Sequence, residues 1–130
     1  MTQEDKELLL KDLGGRLLYG VNVKVGKYGN PTKIWSIGIL ELGSYNRAYY
    51  NNGLNNDSFS IERIKPYLRP MSSMTDEEFK TYEYFLDEDG LIDCSVDVYV
   101  DWLLEGYFDF RGLIPKGLAL EAPEGMYVIK

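Results

Sequence analysis

Histidine is absent from this 130-residue chain. With it go the commonest general base and the commonest metal ligand, and no imidazole remains to activate a serine or cysteine nucleophile. Most familiar hydrolase arrangements are thereby excluded, and the chain reads as a non-enzyme with neither cofactor nor metal. Cysteine occurs once, at Cys94, so an intramolecular disulfide is ruled out and a reducing compartment, the cytoplasm, is expected. The opening Met1-Thr2-Gln3-Glu4-Asp5-Lys6 lacks the basic region of a signal peptide, and no apolar run approaches the ~18 residues that span a bilayer. Neither export nor membrane contact is expected. Bases are also short, 14 against 21 acids, for a net charge of −7 and a pI near 4.6. That balance weighs against direct nucleic-acid binding and leaves only local basic patches.

What is present suffices for one core. The length and the 45% hydrophobic content fit one α+β domain spanning residues 1–130. Thr2 and Asp5 form an N-cap pattern, and Leu9, Leu10, Leu13 and Leu17 recur at helical spacing, with Lys6, Lys11 and Asp12 expected on the outer side. Gly14 and Gly15 weaken the last turn. Tyr19, Val21, Val23 and Val25 alternate as one buried face of a strand, and Ile34 to Leu42, with Trp35, Ile37 and Ile39 on one face, pairs with it as an antiparallel hairpin. Gly43 to Asp57 is either a long loop or two short ragged strands. Ser58 to Ile64 resumes alternation, with Phe59, Ile61 and Ile64 inward, and it meets Lys65-Pro66-Tyr67-Leu68-Arg69-Pro70, where the prolines argue against a central strand.

Thr75 and Glu78 make a capping box for a helix over 76–86, with Phe79, Tyr82 and Leu86 inward. Leu91 and Ile92 form a short strand or a packed linker. A helix from Ser95 to Gly106 follows, lined by Val96, Tyr99, Val100, Leu103 and Tyr107. The tail from Phe108 is broken by glycine and proline yet apolar, so it must pack on the domain. The expected architecture is therefore a small antiparallel sheet built on an N-terminal hairpin, packed with about three helices and an irregular apolar C-terminal segment.

Few residues carry chemistry. Asp87, Glu88, Asp89 and Asp93 are out of register for a calcium loop and read as a solvated helix end. Cys94 lacks a base and reads as a small packed thiol. No glycine pair has the lysine and hydroxyl spacing of a phosphate loop. Two basic stretches stand out: Lys65, Tyr67 and Arg69 on the proline-stiffened segment, and Arg111 and Lys116 within Arg111-Gly112-Leu113-Ile114-Pro115-Lys116-Gly117. Converging, they would offer guanidinium forks, an ammonium and an aromatic face to a nucleotide. Otherwise they are rigid connectors whose cations offset nearby acids. Arg47, Tyr49 and Tyr50, with Tyr45, sit in a polar region and read either as a recognition loop facing a ligand or a second subunit, or as an irregular edge strand.

The opening Met1 to Leu13, the block Ile64 to Thr75, and the block from Asp101-Trp102-Leu103 through Phe108-Asp109-Phe110-Arg111-Gly112-Leu113-Ile114-Pro115-Lys116-Gly117 to Pro123 resemble a family of small uncharacterised proteins of gut Bacteroides-type bacteria, their phages and mobile elements. The resemblance covers roughly half the chain. It departs at Leu17-Leu18-Tyr19-Gly20, where similar proteins tend to have Leu-Pro-Tyr-Gly, and residues 27–57 look peculiar to this chain. It implies a setting, the cytoplasm of an infected bacterium, in which short accessory proteins act against host defences by binding. Two functions follow as expectations. One is a homo-oligomeric sponge for a nucleotide-derived immune signal, using Lys65, Arg69, Arg111 and Lys116 on phosphates and Tyr67, or the tyrosines around Arg47, on a base. The other is an acidic, DNA-mimic type inhibitor of a host defence or nucleic-acid enzyme. An accessory protein with a structural role, and a hydrolase using carboxylates alone, are the remaining readings.

Overall fold

The computed structural model describes residues 2–26, 31–39, 46–51, 56–60 and 63–127; for residue 32 and those described between 34 and 60 it describes the backbone alone. Along the chain come α1 (Gln3–Arg16), β1 (Asn22–Val25), β2 (Thr32–Ile39), β3 (Asn46–Asn51), β4 (Asn56–Ser60), β5 (Ile64–Leu68), α2 (Asp76–Tyr84), α3 (Val96–Glu105) and β6 (Leu120–Glu121). The strands form one sheet in the order β4-β3-β2-β1-β5-β6. The fold is α+β, with the expected β1–β2 hairpin near its middle.

The first helix begins where the sequence says it should. The Thr2 hydroxyl accepts from the Asp5 amide at 3.1 Å and the Asp5 carboxylate accepts from the Thr2 amide at 3.5 Å. Two of the helix's orphan donors are thus satisfied. Leu9 and Leu13 are buried against Val21, Val23, Val25, Ile64, Leu68, Leu113, Leu118 and Ala119, with Leu10 and Leu17 packed at the margin. The helix runs through both glycines to Arg16, because packing outweighs propensity here. A Cβ on Gly15 would lie 3.2 Å from the Leu104 side chain of α3, so this glycine sets how closely the two helices approach. Leu17–Tyr19 then makes a 3-10 turn, which shortens β1 relative to the alternation that begins at Tyr19.

One open alternative about strands is resolved and one expectation is corrected. The polar stretch around Tyr49 forms two paired strands, β3 and β4, and the β2–β3 register slips between Ile34 and Ser36, so the backbone bulges at Trp35. The proline segment is an interior strand: β5 pairs antiparallel with β1 and parallel with β6. The geometry tolerates Pro66 for a specific reason. The Gly26 amide bonds the Arg63 carbonyl at 2.7 Å, and ladder alternation from that pair makes Val23 and Pro66 a non-hydrogen-bonded pair. The missing donor therefore faces the β6 side, where pairing starts one residue later, at Tyr67 with Leu120.

The helices fall close to their expected ranges, and of the residues expected inward Tyr82, Leu86, Tyr99, Val100, Leu103 and Tyr107 are buried or half-buried while Phe79 and Val96 are not. In α2, Phe79 is half exposed while Phe85, just past the helix, is buried. In α3 the buried residues are Leu103 and Leu104, and Val96 faces solvent. An aromatic ladder holds the pair: Tyr99 lies 6.2 Å from Tyr82 and 5.9 Å from Phe85, Trp102 lies 5.6 Å from Phe85, and Phe108 lies 5.5 Å from Trp102. The tail does pack, through Leu113, Leu118 and Ala119.

Helix α3 ends in a Schellman motif. The Tyr107 amide bonds the Leu104 carbonyl at 3.0 Å and the Phe108 amide bonds that of Leu103 at 3.1 Å. The left-handed position is occupied by Tyr107, φ 62°, a conformation costing about 1 kcal/mol or more outside glycine. The neighbouring Gly106 is needed for another reason, since a Cβ there would stand 2.5 Å from the Phe108 ring.

Candidate functional site

Both arginines expected to bind phosphate are built into the framework. Arg69 follows β5, bridging in parallel to Phe108. Its Nη1 donates to Glu78 Oε2 at 2.8 Å and to the Gly106 carbonyl at 3.2 Å. Its Nη2 donates to Glu78 Oε1 at 2.6 Å and to the Ser73 carbonyl at 3.3 Å. All four terminal N–H groups are thereby engaged, and the guanidinium lies 4.4 Å from the Phe108 ring centroid. One side chain thus ties the end of β5 to both α2 and α3. Its hydrogen bonds hold the Glu78 carboxyl below the usual carboxylate range, against the opposing effect of burial.

Arg111 belongs to a second buried cluster. It donates to Asp12 Oδ1 at 2.7 Å and stacks on Phe110 at 4.4 Å. Asp12, expected on the outer face of α1, is fully buried, because it is doubly compensated. Arg16, one turn on, places Nε 2.8 Å from Oδ2 and Nη2 3.0 Å from Oδ1, and its Nη2 also donates to the Phe108 carbonyl at 2.6 Å. Arg16 is itself fully buried, and among the described residues its Nη1 has no hydrogen-bond partner. Two arginines on one carboxylate leave the cluster one positive charge in excess. Asp109, also buried, accepts from the Leu113 and Ile114 amides at 2.7 and 2.9 Å, fixing the turn that carries Lys116.

The first basic stretch is therefore joined through backbone to the residues just before the second: the Arg69 amide bonds the Tyr107 carbonyl and the Asp109 amide bonds the Arg69 carbonyl, at 2.7 and 2.8 Å. Their guanidinium groups are not pooled; Arg69 holds Glu78 and Arg111 holds Asp12. Lys65 and Lys116 are exposed, and Tyr67 is half-buried in β5. Arg47, Tyr49 and Tyr50 lie on β3; their side chains, and Tyr45, fall outside the described residues.

Two features escaped the sequence. One is a cleft of about 270 Å³ lined by Arg69, Pro70, Glu121, Pro123, Glu124 and Tyr127, among others. Its Tyr127 hydroxyl donates to the Tyr67 carbonyl at 2.7 Å and accepts from the Asn22 amide at 3.0 Å. This phenol stands in the β1–β5 ladder where those two residues would otherwise pair. The ring stacks on Tyr107 with centroids 3.7 Å apart and planes 8° from parallel, and the Tyr107 hydroxyl bonds the Tyr19 carbonyl. Burial pushes both phenols above their usual range, Tyr127 most. The stack explains how a tyrosine is held at the left-handed end of α3.

The other feature is the α2–α3 hairpin. Eleven of the 21 acids and one of the 14 bases lie between residues 76 and 105, so this stretch carries −10 and the rest of the chain +3. Its surface also shows Tyr84, Leu91, Val96, Val98, Phe79 and Ile92, each between 43% and 83% exposed. The connecting turn is well formed: Asp87 Oδ1 accepts from the Asp89 and Leu91 amides, both at 2.9 Å, and the Asp93 amide bonds the Phe85 carbonyl at 2.8 Å. Cys94 is half-buried, its thiol 3.4 Å from the Ser95 carbonyl. Tyr99, beneath, is pushed up to about 12 by burial and by Tyr82. The signal was present in Leu91-Ile92 and in the spacing of Val96 and Val98, apolar residues among acids, but a sequence pattern does not say which apolar face is left uncovered.

Among the described residues no group of three potential ligands is disposed to hold a metal ion, and no helix is long and apolar enough to cross a membrane. Comparison with family models, with curated proteins and with solved structures finds no match.

Proposed function

We propose that this chain is a non-enzymatic binding protein of a phage or mobile element, acting in the bacterial cytoplasm by covering a basic surface of a host protein, in the manner of a nucleic-acid mimic. The observation that carries this reading is the coincidence, on one hairpin, of ten net negative charges and a set of exposed apolar side chains. Carboxylates in such number steer and register a cationic partner. Carboxylates alone would suit only counterions; the apolar residues among them supply the desolvated contact on which protein interfaces depend. Nucleotide sequestration stands behind this reading, since Arg69 and Arg111 already hold internal carboxylates.

The test is capture from host lysate with the wild-type chain and with Glu88→Lys/Asp89→Lys/Asp93→Lys, three exposed positions. The expected result is a captured nucleic-acid-binding protein, lost with the charge-reversed variant and displaced by duplex DNA or RNA. Capture that survives the reversal, or resists nucleic-acid competition, overturns the proposal.

A further inference from the structure

We propose that the cleft beside Arg69 is a pocket for one cationic side chain, an alkylammonium or guanidinium carried on a methylene stem. The presence of an arginine in its wall suggests an anion site, but the hydrogen bonding says otherwise. Each terminal N–H of Arg69 is engaged, and Glu78 neutralises the group. Among the described residues the remaining charged groups of the lining are Glu121 and Glu124, both exposed, and they make the field of this lining negative. Pro70, Pro123 and the Tyr127 ring supply flat apolar walls, which suit the stem of a lysine or arginine while its head meets carboxylate.

The pocket is also preformed. The Ala122 amide bonds the Leu68 carbonyl at 2.8 Å and the Met126 amide bonds that of Pro123 at 3.1 Å, so the wall carrying both glutamates is tied to β5 and folded into a turn. Tyr127 is fixed by two hydrogen bonds and a ring stack. A preformed site of about 270 Å³ suits a single side chain and spares the protein the cost of ordering its walls. The inference rests on the proposed function only for its partner, to whose basic surface the pocket offers an anchor; the pocket's own chemistry is tested without any partner.

The experiment is an amide-resolved NMR titration with N-acetyl-lysine N-methylamide and N-acetyl-arginine N-methylamide, with the norleucine analogue and inorganic phosphate as comparisons. Both cations should shift the amides of Glu121, Ala122, Gly125 and Tyr127, the norleucine analogue and phosphate should not, and Glu121→Gln/Glu124→Gln should weaken cation binding at least tenfold. Shifts at those amides with phosphate, equal shifts with norleucine, or indifference to the double variant would overturn it. The hairpin variant Glu88→Lys/Asp89→Lys/Asp93→Lys leaves the pocket lining intact, so it should titrate as the wild type does. Loss of lysate capture with a normal titration, or the reverse, separates the two proposals.

Discussion

The sheet side and the helical hairpin handle charge in opposite ways. Beneath α1, Asp12 is shared between Arg16 and Arg111, and at the end of β5 Arg69 takes both oxygens of Glu78; each of these carboxylates has a guanidinium. Along α2 and α3 the acids other than Glu78 stand outward, with Lys80 the sole base among them. Buried ions that lacked partners would unfold the chain, so their pairing reflects stability. With Glu78 paired to Arg69, nine net negative charges remain on this stretch; their mutual repulsion is a burden for folding, and the exposed apolar side chains lie among them. Arg69 joins the two regimes, binding the hairpin to the sheet through its one buried-side acid.

The contrast breaks most severely at Asp12. Asp12→Ala strands a fully buried Arg16 and should cost about 3–5 kcal/mol, read as a lower urea midpoint. Arg69→Met comes next, at about 3 kcal/mol, because Glu78 and two carbonyls lose their donor. Its effect should depend on pH. Glu78 titrates lower in the folded chain than its ordinary 4.5, so the stabilisation from the pair is complete above that value and fades as pH falls through the depressed folded one. The gap between wild type and Arg69→Met should therefore narrow in acid; a gap constant from pH 7 to 3 would place its origin in packing on Phe108 instead. Tyr127→Phe removes the hydroxyl between Asn22 and Tyr67 and should cost about 2 kcal/mol, with faster hydrogen exchange at the Asn22 amide. Smallest in stability, and most telling for the comparison, is Leu91→Gln/Val98→Gln: both residues are more than half exposed, so the unfolding free energy from urea titration should change by under about 0.5 kcal/mol while partner capture is lost.

Local signals in the sequence were read correctly where the chemistry is local. The capping boxes at Thr2 and Thr75, the alternating valines of β1 and the hairpin each depend on residues a few positions apart. What was missed depends on distant partners. Asp12 has a surface residue's chemistry until Arg111, 99 positions away, is placed on it. Pro66 argues against an inner strand until the register shows that its nitrogen faces away from β1. The first basic stretch bridges at Arg69 to Phe108, three residues before the second begins, but nothing in the composition of either says that Glu78 and Asp12 would claim the guanidinium groups. Likewise the cleft depends on Tyr127 reaching back to β1, and no periodicity reports a phenol inserted between two strands.

That insertion has a consequence for synthesis. The hydroxyl that completes the seam between Asn22 and Tyr67 arrives 105 residues after the first of them, and parallel pairing with β6 is nearly as late. While the chain is still emerging from the ribosome, its amino-terminal half can form helix and hairpin but cannot close this joint, so the finished sheet is an event that follows translation of residue 127.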